Sequence, residues 1–186
     1  MEQLQELVAL YKRNFEKHEE WKLSDFRNQS KPLEDLIRDA VWGKEPKLKR
    51  DSHQYRIPKK TLEEMEEELL KPEIIKELMK RKTFDEIFTM IYVLKAPFFG
   101  PLSVYDTSLR LGAIMQLYPN VIYLHRGALD GARALLGKEV LHRHAKYFCD
   151  DKEYPYITKE VLPRELHCLE PYHIENFLCI NKSKFK

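Results

Sequence analysis

Apolar residues recur at three- and four-residue steps over most of this chain. Leu4, Leu7, Val8, Tyr11 and Phe15 form the first such stripe, which predicts an amphipathic helix over about residues 3–19. A second helix is expected over 32–42, with Pro32 at its opening and Gly43 placed to end it. Thr61 with Glu64 has capping-box spacing and predicts the start of an acidic helix, TLEEMEEELL. Pro72 opens a short helix to about residue 80, and Thr83 with Glu86 opens a strongly apolar one, FDEIFTMIYVL. After the connection KAPFFGP, the run LSVYDTSLRLGAIMQLY reads as another helix ended by Pro119.

The tetrapeptide VIYL is the one β-like stretch, too short to form a sheet by itself. GALDGARALL predicts a helix opened by Gly127 and stopped at Gly137. Residues 138–163 lack a clear period and read as irregular, with room for one more helical turn. EPYHIENFLCI is a last short helix with Pro171 in its first turn. The expected fold is mostly α: a single domain over residues 1–186, with roughly seven to nine short helices.

Composition agrees with a packed helical protein. Of 186 residues, 43% are hydrophobic and 11% aromatic, which excludes a disordered chain. Six glycines in all argue against a collagen-like or all-β protein. No stretch approaches eighteen uncharged apolar residues, so no membrane partner is expected. The opening MEQLQELVALYKRNFEKHEE has no uninterrupted apolar core, so no secretory signal is expected either. Cys149, Cys168 and Cys179 are an odd, irregularly spaced set, read as reduced thiols of a cytoplasmic protein.

A net charge of +2 is too small for whole-molecule attraction to polyanions, so any such effect must be local. It is local at 44–60, KEPKLKRDSHQYRIPKK, where seven Lys and Arg face only Glu45 and Asp51. Without periodicity, and with Pro46 and Pro58, this reads as a basic loop. It and the acidic helix after it partly neutralise each other or simply form two solvated faces, or else the loop is an arm for phosphates. In the second reading Lys47, Lys49, Arg50, Arg56, Lys59 and Lys60 carry the charge, with His53 and Tyr55 able to stack or hydrogen-bond.

The most informative segment is the bend APFFGPLS, residues 96–103, between two apolar helices. Gly100 allows close approach or positive φ, and Pro101 presets the next helical turn. A helix start of this kind turns free amide N–H groups outward, a phosphate site at Gly100, Leu102 and Ser103. The bend resembles the helix-hairpin-helix element with which many DNA repair proteins grip the backbone of duplex DNA. That signature runs apolar residue, proline, glycine, apolar residue, glycine, then a small hydroxyl residue and alanine. Pro97, Phe99, Gly100 and Ser103 match it; Phe98 replaces the first glycine and Val104 the alanine. If the turn requires positive φ at the first glycine, Phe98 adopts it under strain. The likeness covers about twenty-five residues. It does not extend to the bifunctional glycosylases, whose nucleophilic lysine would stand where this chain has Leu102, and whose catalytic aspartate would fall in QLYPNVIY.

Asp106 and Arg110, four apart, suit an ion pair, and Ser103 with Asp106 has capping-box spacing. A ligand pocket or acid–base chemistry at Asp106 is the alternative. In YLHRGALDGARAL, His125, Arg126, Gly127 and Arg133 suggest a second anion site at a helix start. Gly127 and Gly131 equally suit close helix packing. His142, His144, Cys149, His167, Cys168, His173 and Cys179 lack metal-ligand spacing, so no metal is expected. No P-loop, dinucleotide fingerprint or G-x-S-x-G is present, and no cofactor is expected.

These residues together imply a small nucleic-acid-binding protein that holds the backbone, most naturally of duplex DNA. The alternative is a glycosylase-like enzyme on a nucleotide or nucleic-acid substrate, with Asp106, Arg110, His125 and His53 as candidates. A third reading is a protein-interaction module built on the acidic helix.

Overall fold

The computed structural model describes residues 2–29, 31–44 and 56–185. The chain is mostly helical. In order, it forms α1 (Glu2–Tyr11), a π-helical turn (Lys12–Glu16), α2 (Lys17–Lys22), α3 (Ser24–Arg27), α4 (Leu33–Trp42), α5 (Lys59–Leu69), α6 (Pro72–Leu78), α7 (Phe84–Leu94) and α8 (Pro101–Ile114). Then follow β1 (Ile122–Tyr123), α9 (Arg126–Leu136), α10 (Lys138–His144), β2 (Lys146–Tyr147), β3 (Pro155–Ile157) and α11 (Pro171–Asn181), with short 3-10 turns between β2 and α11. Among the described residues no helix is long and apolar enough to cross a membrane.

Chain contacts divide into two compact units, Glu20–Tyr118 and Met1–Glu19 with Pro119–Lys186. In the first, α8 is the element against which α3, α4 and α7 pack. Its inward positions include Ser103, Thr107, Ser108 and Gly112, so neighbouring backbones come close. Ser108 satisfies its buried hydroxyl by donating to the Val104 carbonyl at 2.7 Å. Phe84 at the start of α7 lies against Gly112 near the end of α8, so the two helices run antiparallel as a hairpin. Leu36, Ile37 and Val41 of α4, Leu62 and Met65 of α5, and Ile87, Phe88 and Ile91 of α7 complete this core.

In the other unit, α9 and α11 form the principal helix pair. A Cβ at Gly127 would meet the side chain of Cys179, and one at Gly131 would run into the Leu178 carbonyl. Both glycines are therefore contact points of a close helix crossing. α1 contributes Leu7, Val8 and Tyr11 to the same core, and Ile122, Leu124 and Ile157 enter it from the sheet. The sheet is antiparallel with order β1-β3-β2, pairing Ile122 with Ile157, Tyr123 with Tyr156 and Lys146 with Tyr156.

Several expectations hold at their boundaries. Gly43 ends α4 at φ 62°, and Thr83 caps α7 by accepting from the Glu86 amide at 3.2 Å. Others are corrected. The first helix is interrupted by a π turn at Lys12–Glu16. The acidic helix opens at Lys59, after Pro58, so Thr61 lies inside its first turn and is not its cap. Ser103 is likewise inside α8, whose N-cap is Gly100, and Asp106 falls beyond its first turn. Residues 138–163 hold a helix and two of the three strands. Those strands are two and three residues long, too short for a period to announce them.

Candidate functional site

The bend between α7 and α8 is built around one tight turn. The Phe99 amide donates to the Ala96 carbonyl at 3.1 Å, closing a β-turn with Pro97 and Phe98 at its two central positions. Pro97 cannot take positive φ, whereas Phe98 has φ 69°. Negative then positive φ defines a type II turn, whose third position favours glycine. The position where the helix-hairpin-helix signature carries its first glycine is thus in the left-handed region here.

Phe99 turns inward and is 2% exposed, whereas Phe98 is 82% exposed. Gly100 is extended (φ −76°, ψ 179°) and has open space where a Cβ would stand. Neither the backbone nor internal packing requires glycine there, and the lack of a side chain leaves the start of α8 uncovered on that side. With Pro101 as the first helical residue, the amides of Leu102 and Ser103 precede any intrahelical acceptor, and the Val104 amide donates to Gly100. The Ser103 side chain itself is buried.

Two contacts fasten this bend to α5. Thr61 Oγ1 donates to the Pro97 carbonyl at 3.0 Å, and the Ala96 amide lies 3.2 Å from Met65 Sδ. The first turn of α5, carrying Lys59 and Lys60, is therefore tied to the turn that carries Phe98. Both lysines are strongly exposed and form i,i+4 pairs with Glu63 (3.0 Å) and Glu64 (3.7 Å). Such surface pairs exchange readily for another anion. Arg56 is exposed just before them. Lys47, Lys49, Arg50, His53 and Tyr55 lie outside the described residues.

The expected second anion site has a different construction. Arg126 and Arg133 are exposed, and Arg133 is 3.5 Å from Asp130. Gly127, however, serves the α9–α11 crossing. His125 precedes α9 with its Nε2 3.2 Å from the Glu175 carboxylate, both side chains 10% exposed. The protein thus sets its own carboxylate beside the residue that starts this helix, and an incoming phosphate meets like charge. Arg110 is buried and donates to the Ala40 carbonyl at 3.3 Å. Arg110 and His125 therefore engage separate partners, each within its own unit.

One polar cluster has no forecast in the sequence. Tyr11 of α1 and His173 of α11 meet with Oη and Nδ1 3.0 Å apart, and Asn176 Nδ2 lies 3.4 Å from the same hydroxyl. Burial above all holds the Tyr11 phenol well above its usual pKa. The helical spacing of Tyr11 marks a core position, but its partner is 162 residues away. A cavity of about 380 Å³ in the same unit is lined largely by Leu4, Leu7, Leu135, Pro163 and Phe185, with Glu165 and Lys184. None of Asp106, Arg110 and His125 lines it. Among the described residues no group of three or more His, Cys, Asp or Glu side chains is placed to hold a metal ion.

In comparisons with known proteins, the chain matches no family model, no curated protein and no solved structure.

Proposed function

We propose that this chain binds the sugar–phosphate backbone of nucleic acid, duplex DNA in the first instance, through the α7–α8 bend. The observation that carries the reading is Gly100: a glycine with ordinary φ and an empty Cβ position, directly before a helix start. Its lack of a side chain serves approach from outside, which is what a phosphate on the Leu102 and Ser103 amides requires. Lys59 and Lys60, held beside the bend through Thr61, supply local cations in a chain of net charge +2. Contacts of this type set register on a duplex without reading its bases.

The test is fluorescence anisotropy of a labelled random-sequence duplex against salt. Affinity should fall steeply between low and moderate salt as counterion release is suppressed. Gly100→Ala should weaken binding while leaving thermal stability unchanged. No binding at low salt to any duplex or single strand removes the reading.

A second reading has one observation in its favour. Val93 and Phe98 are 71% and 82% exposed near one end of the hairpin, an apolar feature suited to a protein partner. Binding that persists at high salt and needs no nucleic acid would select it.

A further inference from the structure

Phe98 works against the fold in two ways. It occupies the glycine-preferring position of a type II turn at φ 69°, where a bulky side chain is strained. It also leaves 82% of its surface in water, so burial returns nothing for that strain. The packing of the turn is done by its neighbour Phe99. Nor is the strained conformation left to chance. The Ala96–Phe99 hydrogen bond closes the turn, and Thr61 and Met65 hold it from α5. A strained residue maintained by surrounding contacts, with its side chain presented outward, is a mark of a functional position.

We infer that Phe98 is a stacking residue for an unpaired nucleobase, so that the bend recognises nucleic acid where base pairing is interrupted. This deepens the backbone-binding reading and rests on it. A phenyl ring has no hydrogen-bonding group, so it reads no base edge by hydrogen bonding; its largest contact is its face. In an intact duplex the base faces are covered by their neighbours. They become available in a gap, a flap, an end or a single strand, where an aromatic ring replaces the lost stack. The surroundings suit a base joined to phosphate: Lys59 and Lys60 project from the helix tied to the same turn, and Lys95 lies 4.1 Å over the Tyr92 ring beside it. The Leu102 and Ser103 amides, which have no intrahelical acceptor, follow within five residues of Phe98. One short segment therefore offers a face for the base and donors for its backbone.

The test compares an intact duplex with a duplex of equal length carrying a one-nucleotide gap, for the wild-type chain and for Phe98→Gly, Phe98→Leu and Phe98→Trp. The wild type should prefer the gapped duplex. Phe98→Gly and Phe98→Leu should each lose about tenfold on the gapped duplex and less than about twofold on the intact one. Phe98→Trp should keep the preference, with its indole fluorescence quenched on binding. Phe98→Leu serves as the apolar control, since it separates stacking from mere wedging. Equal losses on both duplexes, or none on the gapped one, would overturn the stacking role while leaving backbone binding standing. Absence of any binding by the wild type would overturn both.

Discussion

Thr61 donates its hydroxyl to the carbonyl of Pro97, 36 residues away, in place of capping its own helix. This bond joins the first turn of the acidic helix to the outermost turn of the α7–α8 hairpin. Thr61 is 4% exposed, so its hydroxyl is held in place to make this bond. Thr61→Val preserves the shape and removes the bond. It should destabilise the chain by about 1 kcal/mol, read as a lowered urea midpoint with unchanged slope. On the proposed backbone-binding role it should also weaken binding to duplex DNA, because Lys59 and Lys60 lose their tether to the bend.

The glycines separate cleanly by what surrounds them. A methyl group at Gly131 meets the Leu178 main-chain carbonyl, which has no rotamer to escape into, so α9 and α11 must part. Gly131→Ala should cost about 3 kcal/mol or more, the upper range for overpacking at a tight crossing. Gly127→Ala meets a cysteine side chain that can turn, and should cost less. Gly100→Ala adds a methyl to open space at ordinary φ. The freedom it removes from the unfolded chain favours alanine, whereas the N-cap position favours glycine. The net change should be no more than about 0.5 kcal/mol. Thermal unfolding of the three variants checks the ranking. Loss of stability in Gly100→Ala comparable to Gly131→Ala would refute the account of Gly100 as a residue kept for access.

Phe98 allows a stabilising substitution. Relieving a left-handed conformation at a non-glycine residue recovers roughly 1–2 kcal/mol, and the greater freedom of unfolded glycine takes back about 0.5–1 kcal/mol. With 82% of the side chain in solvent, little packing is lost. Phe98→Gly should therefore raise stability by up to about 1.5 kcal/mol. Calorimetry showing a lower melting temperature would mean that Phe98 contributes packing that its exposure does not reveal.

What could be read from the sequence was what depends on neighbours in the chain. Gly43 as a left-handed stop, Thr83 with Glu86 as a cap and Pro101 at a helix start involve groups within four residues of each other. Where a local signal has two possible partners, the chain alone does not choose between them. Thr61 and Glu64 have the spacing of a capping box, but Pro58 starts the helix earlier and Pro97 takes the hydroxyl. Gly127 and Gly131 fit an anion site and a helix crossing equally, until Leu178 and Cys179 are placed against them. The strands at Lys146–Tyr147 and Pro155–Ile157 are too short to show alternation, and Ile157 finds its partner, Ile122, only through a long-range contact. Tyr11 announced itself as a core position, but not as the partner of His173 and Asn176, for the same reason.

Tyr11 makes the stability of this protein depend on alkaline pH. Burial keeps its phenol protonated in the folded chain well above the pH at which an exposed tyrosine ionises. In the unfolded chain the same phenol releases its proton near pH 10. Above that pH the folded state binds one more proton than the unfolded state, so stability falls as pH rises. Below pH 10 both states hold the proton and the contribution is constant. Tyr11→Phe removes this slope, and at neutral pH it also leaves His173 Nδ1 and Asn176 without their shared hydroxyl, at a cost of about 1–3 kcal/mol. Urea unfolding from pH 8 to pH 11 should show the wild-type curve descending above pH 10 more steeply than the variant's, so that the gap between them narrows. Parallel curves across that range would mean that the Tyr11 hydroxyl is hydrated in solution and that its bond to His173 does not hold α1 to α11.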